Sequence, residues 1–240
     1  MRICLINYAH ATERRIDIVE KQRRQIEQAY SNGLVDKVIP FGRKNITDSP
    51  LYSAHKDLLD EVRGAGYWIW KPYLILKAMT DTNLSYDVYI YLDADIEIKS
   101  SVEPFALLTR GQAVAGIRTT YQHARFCKRD CSLAFNSESD DYTKWYQLHA
   151  GAIAFGYAHR AILFLADWLA ACCNHHLVND EPSIAENYPF FLEHRHDQAL
   201  YTLLYHKYNF PIYPPSTLAF SDLYPLREWC ETEIDGEFSD

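Results

Sequence analysis

Asp93 and Asp95 close the clearest strand candidate in the chain, Asp87-Val88-Tyr89-Ile90-Tyr91-Leu92, with only Ala94 between them. Two carboxylates at the end of such a run are costly to bury unless a cation or water satisfies them. Hard divalent ions such as Mn²⁺ and Mg²⁺ take oxygen ligands of this kind and share them with substrate phosphates. Ligands of open parallel sheets sit outside the carboxyl ends of the strands, where this pair falls. The plainer alternative is a pair of acids capping a loop. The aromatic, apolar run in front of them favours the metal.

Three further groups have the residue types for chemistry. Gly66-Tyr67-Trp68-Ile69-Trp70-Lys71-Pro72 sets one cation among large rings just before a helix start. Lys71 there either points its charge at a phosphate, helped by the helix dipole, or belongs to ordinary aromatic packing. Glu193-His194-Arg195-His196-Asp197-Gln198 precedes another helix. Such a cluster can orient a hydroxyl, act as a base or complete a metal shell, while a simple N-cap is the bland role for Asp197. In His149-Ala150-Gly151 the glycine lets a ligand approach the backbone closely. Cys172-Cys173 with His175-His176 is not read as a metal site, because adjacent helical residues point in different directions.

The elements that position these groups alternate. Ile3–Asn7 reads as a strand, Ala11–Ser31 as a surface helix with Ile16, Val19, Ile26 and Tyr30 on its apolar face, and Val35–Phe41 as a second strand. A helix over Ser53–Arg63 is expected to stop at Gly64-Ala65-Gly66, and Pro72 to open the next, Tyr73–Thr80. After Asp87–Leu92 come strands at Ala113–Arg118 and Ala150–Phe155, with a polar surface excursion over 121–147 between them. Helices are expected at Ala158–Leu177 and Asp197–Tyr208, then a proline-bearing tail from Pro211. This order predicts an α/β fold: a mostly parallel central sheet flanked by helices, with a decorated C-terminal half. The 240 residues fit one domain, read as a first half (1–110), a second half (111–210) and a tail (211–240).

Composition narrows the partners. Apolar residues make up 48% and charged residues 23%, which excludes disordered, collagenous and coiled-coil chains. The net charge of −8 disfavours nucleic acid and a polybasic membrane anchor, leaving at most peripheral membrane contact. The N-terminus lacks the features of a secretory signal, and the apolar stretch Ala161–Cys173 is too short to span a bilayer. The six cysteines form no disulfide framework or zinc ribbon. The expected location is the cytoplasm, at most at the inner face of a membrane.

Taken together, the DVYIYLDAD strand with Asp93-x-Asp95, the GYWIWKP segment before it and the HRHDQ segment after it resemble the motifs of GT-A fold, nucleotide-sugar-dependent glycosyltransferases. They are similar to those of bacterial and viral enzymes that build lipopolysaccharide, capsule or other surface glycans. The resemblance covers roughly residues 1–210 and implies that 1–110 is a nucleotide-binding half with the donor site and 111–210 an acceptor-side half. Asn7, Tyr8 and Ala9 would contact the base and ribose, with Trp70 beside them. Lys71 would neutralise diphosphate charge, and Asp93, Ala94 and Asp95 would form the loop whose carboxylates hold Mn²⁺ or Mg²⁺. His149, Gly151, His194 and Gln198 would border sugar and acceptor, and Asp197, with His196 as rival, would be the catalytic group. The implied partners are a nucleotide-sugar, UDP-linked by analogy, and a glycan or glycolipid acceptor. The tail has no His-x-x-Gly-x-x-Lys-Pro-Trp segment of the kind that supplies a third metal ligand in some related families.

Other classes fit less well. A haloacid-dehalogenase-type phosphatase also carries Asp-x-Asp after an apolar strand, but after its first one, whereas two strands precede Asp93 here. A nucleotidyltransferase usually has a glycine-rich loop after its first strand, and Asn7-Tyr8-Ala9-His10-Ala11-Thr12 has no glycine. A non-catalytic glycan-binding protein would have had reason to lose the two carboxylates, and both are present.

Overall fold

The computed structural model describes residues 1–13, 15–139 and 141–223. Its strands are Ile3–Ala9 (β1), Lys37–Gly42 (β2), Val88–Leu92 (β3), Val114–Gln122 (β4), Tyr146–Leu148 (β5), Ala152–Gly156 (β6) and Ile212–Tyr213 (β7). They form one sheet in the order β2-β1-β3-β6-β4-β5, with β7 also pairing to β4. Every residue of β1, β3 and β6 is buried, as near-continuous apolar strands covered on both faces require. Alternation along the strands divides the core. Ile6, Tyr8, Tyr89, Tyr91, Ile153 and Phe155 face the helices Trp70–Thr80, His159–Cys172 and His196–Lys207. Leu5, Ile90, Leu92 and Ala154 face Ile98, Phe105 and Leu218 on the other side.

The α/β class holds, and the sheet is mixed where alternation suggested a mostly parallel one. β1 runs parallel to β2 and β3. β6 then enters between β3 and β4, antiparallel to both, and β5 is antiparallel to β4. The consequence for the site is direct. Leu92 pairs with Ala152, so the turn before β6 lies beside the loop after β3, and the Asp93 amide donates to the Gly151 carbonyl at 2.8 Å.

Several local expectations change. The first helix spans Ile18–Ser31, later than expected, and buries Ile18, Gln25 and Ala29 while Ile16 and Val19 are exposed. Its orientation follows glutamine hydrogen bonds rather than the apolar stripe. The single helix expected before Gly64 is instead two short ones, Pro50–Ala54 and Lys56–Leu59. The following bend takes Ala65, Gly66, Tyr67 and Trp68 through positive φ. Gly66 is required there, because a Cβ would stand 2.7 Å from the Leu59 Cα. The next helix starts at Trp70, and Pro72 fits its first turn, where no backbone donor is needed. The long helix expected over 158–177 divides at Asn174, whose side chain caps Leu177.

Residues 121–147 are a correction of a larger kind. Among the described residues of this stretch His123, Lys128, Cys131 and Tyr142 are buried, while Leu133 and Tyr146 stay exposed. Their polarity is spent internally: the Lys128 ammonium donates to the Asn179 carbonyl and side-chain oxygens and to the Glu181 carbonyl. Asp130 accepts from the amides of Ile184 and Ala185. Of the tail, Ile212–Tyr213 adds β7 and Pro215–Leu218 a 3-10 turn, while Pro225 lies outside the described residues. Among the described residues no helix is long and apolar enough to cross a membrane.

Candidate active site

Lys71 is the centre of the arrangement. It stands in the first turn of the Trp70–Thr80 helix with its side chain buried. Its ammonium lies 3.5 Å from Asp93 Oδ1 and 3.3 Å from Asp197 Oδ2, and donates to the Ala150 carbonyl at 3.1 Å. One buried cation thus joins the end of β3, the turn before β6 and the start of the His196–Lys207 helix. Burial would drive a lone ammonium neutral, but the two carboxylates more than offset this and hold the Lys71 pKa above its ordinary value.

Asp93 has two differently employed oxygens. Oδ1 accepts from the Tyr91 hydroxyl at 2.7 Å and faces Lys71. Oδ2 lies over Gly151, where an added Cβ would come within 2.5 Å of it and 2.7 Å of the His149 ring. Asp95 is half-exposed and pairs with Arg15 at 2.7 Å. The loop is braced from behind by Gln25, which donates to the carbonyls of Asp93 and Ile96 at 2.7 and 2.8 Å. Asn7 in turn donates to Gln25 and accepts from Gln22. Its side-chain amide is therefore committed to bracing the Asp93 loop. Ala9 packs against Ala94, and Tyr8 stacks on Trp70 at 3.9 Å, with the Trp70 indole donating to the Gly64 carbonyl.

On the other side, His149 Nδ1 accepts from the Gly151 amide at 3.0 Å, leaving Nε2 to carry the proton. Burial lowers its pKa, with Asp93 opposing, so the ring is neutral at neutral pH. Gln198 accepts from the Ala150 amide and donates to Gln147 and Tyr121, which fixes this turn. Asp197 is 4% exposed, and burial pushes its pKa up to about 6 against the pull of Lys71. His194 and His196 lie in a layer behind. Their ring nitrogens meet the carbonyls of Leu177 and Val178 at 2.9 Å rather than these carboxylates. The His196 ring packs beside Tyr67 and Trp68, and burial brings its pKa down to about 4. The structure thus brings Lys71, Asp93, His149, Gly151 and Asp197 together, with Asp95 at the rim, and sets both histidines of the second cluster apart from them.

Among the described residues no group of three histidine, cysteine or acidic side chains is arranged to hold a metal. The Asp-x-Asp pair nevertheless fits a hard ion whose remaining ligands are phosphate and water: Asp93 Oδ2 faces the space kept clear by Gly151, and Asp95 is reachable from solvent. Gly151→Ala is expected to push on the Asp93 carboxylate, costing about 1–3 kcal/mol. Chemical denaturation checks the stability and Mn²⁺ titration the site; a variant unchanged in both would show that the close approach is unimportant.

Sequence reasoning passed over Arg15, Tyr91 and Gln25. Tyr91 was findable, since residues two apart on a strand share a face. Gln25 has Ile18 seven residues before it and Ala29 four after, on one helical face, but glutamines seldom announce an inner surface. No local signal marks Arg15.

In overall shape the chain is similar to solved glycosyltransferases. One is mouse xyloside xylosyltransferase 1 in its apo form, 14% identical with a TM-score of 0.48 over 89% of this chain and 85% of that one. Another is the galactosyltransferase LgtC in complex with donor and acceptor sugar analogues, 13% identical with a TM-score of 0.44 over 84% of this chain and 70% of that one. No protein-family model and no curated protein matches the chain.

Proposed function

We propose that the protein is a glycosyltransferase that moves a sugar from a UDP-linked donor to a glycan or lipid-linked oligosaccharide, using Mn²⁺ or Mg²⁺ at Asp93 and Asp95, on the cytoplasmic side. The observation that carries this reading is the buried Lys71 ammonium between Asp93 and Asp197 directly beneath the Asp-x-Asp loop. Breaking an anomeric carbon–oxygen bond leaves positive charge on the sugar and negative charge on the diphosphate. A divalent ion at Asp93 and Asp95, when bound, neutralises the diphosphate charge. Lys71 fixes the Asp93 and Asp197 carboxylates in one geometry and adds positive potential below the leaving group. Asp197 is the carboxylate facing the sugar, where its charge opposes the positive charge developing there. His149 offers its Nε2 proton to a sugar or acceptor hydroxyl, and Gly151 keeps that side open. Tyr8, Ala9, Trp70 and Ala94 form the wall on which the nucleoside end is expected to lie.

Calorimetry with UDP and GDP, each with and without Mn²⁺, tests the donor site. Mn²⁺-dependent binding of UDP is expected, and no binding of either nucleotide would overturn the reading. Asp197→Asn should retain UDP binding and lose transfer, and unchanged transfer would remove Asp197 from the catalytic role. Phosphate release without a nucleotide donor would point instead to the phosphatase class.

A further inference from the structure

Arg15 carries a role that the reading above does not assign. It sits in the loop that leads from the carboxyl end of β1 into the Ile18–Ser31 helix. Its guanidinium Nη2 contacts Asp95 Oδ2 at 2.7 Å across 80 residues of sequence. Both side chains are well exposed, at 49% and 38%. Its backbone is tied by turn bonds to Thr12 and Ile18, and its long side chain, which pairs with Asp95, also lies within reach of the Asp17 charge. Lys71, by contrast, is buried and held by three partners, so it cannot change them without leaving a charge unpaired.

A divalent cation approaching Asp95 meets this guanidinium on the same half-exposed carboxylate, and two cations there repel. The arginine is the one free to move. Its planar fork suits two phosphate oxygens better than a point charge does. We propose that Arg15 is an exchange clasp: it holds Asp95 in the free protein and transfers to the diphosphate of the nucleotide once Asp95 takes the metal. This makes Arg15 a residue that selects nucleoside diphosphates over monophosphates. The inference rests on the proposed donor site and deepens it.

The test is isothermal titration of wild type, Arg15→Ala and Arg15→Lys, first with Mn²⁺ alone and then with UDP or UMP in saturating Mn²⁺. Arg15→Ala should tighten Mn²⁺ by about threefold, the size of a released surface ion pair. It should weaken UDP by about tenfold or more, as expected for lost charged hydrogen bonds, and UMP by much less. Arg15→Lys should restore the wild-type Mn²⁺ affinity, because the competing charge returns, and only part of the UDP affinity, because the fork does not. Wild-type values for Mn²⁺ and UDP in Arg15→Ala would overturn the clasp while leaving the donor site intact. Equal weakening of UDP and UMP would overturn the diphosphate selectivity. Absence of Mn²⁺-dependent UDP binding in the wild type itself would bring down the donor-site reading and the clasp with it.

Discussion

Lys71→Met is expected to destabilise the fold by about 3–5 kcal/mol, the usual cost of removing one partner from a buried charge group. The substitution keeps the volume but leaves the Asp93 and Asp197 carboxylates without the ammonium that lies 3.5 and 3.3 Å from them. It also leaves the Ala150 carbonyl without its donor. The loss should depend on pH. The Asp197 pKa in the fold is about 6, raised by burial above the roughly 3.9 of an unfolded aspartate. A raised acid favours the folded state when protonated, and that stability is lost as pH rises through the folded value. Without Lys71 the Asp197 pKa rises further, so the deficit should be large at pH 7.5 and smaller at pH 5. Denaturant midpoints at the two pH values read this directly. The double variant Lys71→Met/Asp197→Asn should recover much of the loss at pH 7.5, and a single variant as stable as wild type at both pH values would sink the account.

Asp95→Asn should act on ligand binding and hardly at all on folding. The side chain is half-exposed and its pair with Arg15 is a surface one, so stability should stay within about 1 kcal/mol of wild type. Mn²⁺-dependent affinity for UDP should fall by at least about a hundredfold, because a neutral amide replaces one of the two carboxylates proposed to hold the metal. Calorimetry beside a thermal melt separates the two effects. Near wild-type UDP affinity would remove Asp95 from the metal site.

Much of this arrangement was legible in the sequence because strong local rules apply. An apolar strand ending in two acids declares both its burial and its end, and a lysine before a proline at a helix start declares its turn. The sequence did not show that the histidines of the 194–198 cluster turn away from the Asp93 and Asp197 carboxylates. His196 takes positive φ, a conformation no motif encodes, and its ring lies beside Tyr67 and Trp68. Nor did it show the inward packing of 121–147. Lys128 and Asp130 look like solvated residues until loop carbonyls and amides from 179–185 are brought to them by the fold. The antiparallel entry of β6 was equally hidden, since a strand's apolar pattern carries no direction.

That entry limits how the protein can move during turnover. The Asp93 amide donates to Gly151, Lys71 donates to Ala150, and Gln198 accepts from Ala150, so the Asp93–Asp95 loop and the 149–151 turn are stitched into one block. These two walls cannot shift against each other without breaking those bonds. On the proposed reading, adjustment around a ligand falls to side chains outside this block, the exposed Arg15 among them. Substitutions at Arg15 should then change how ligands exchange while the geometry of Lys71, Asp93 and Asp197 stays fixed.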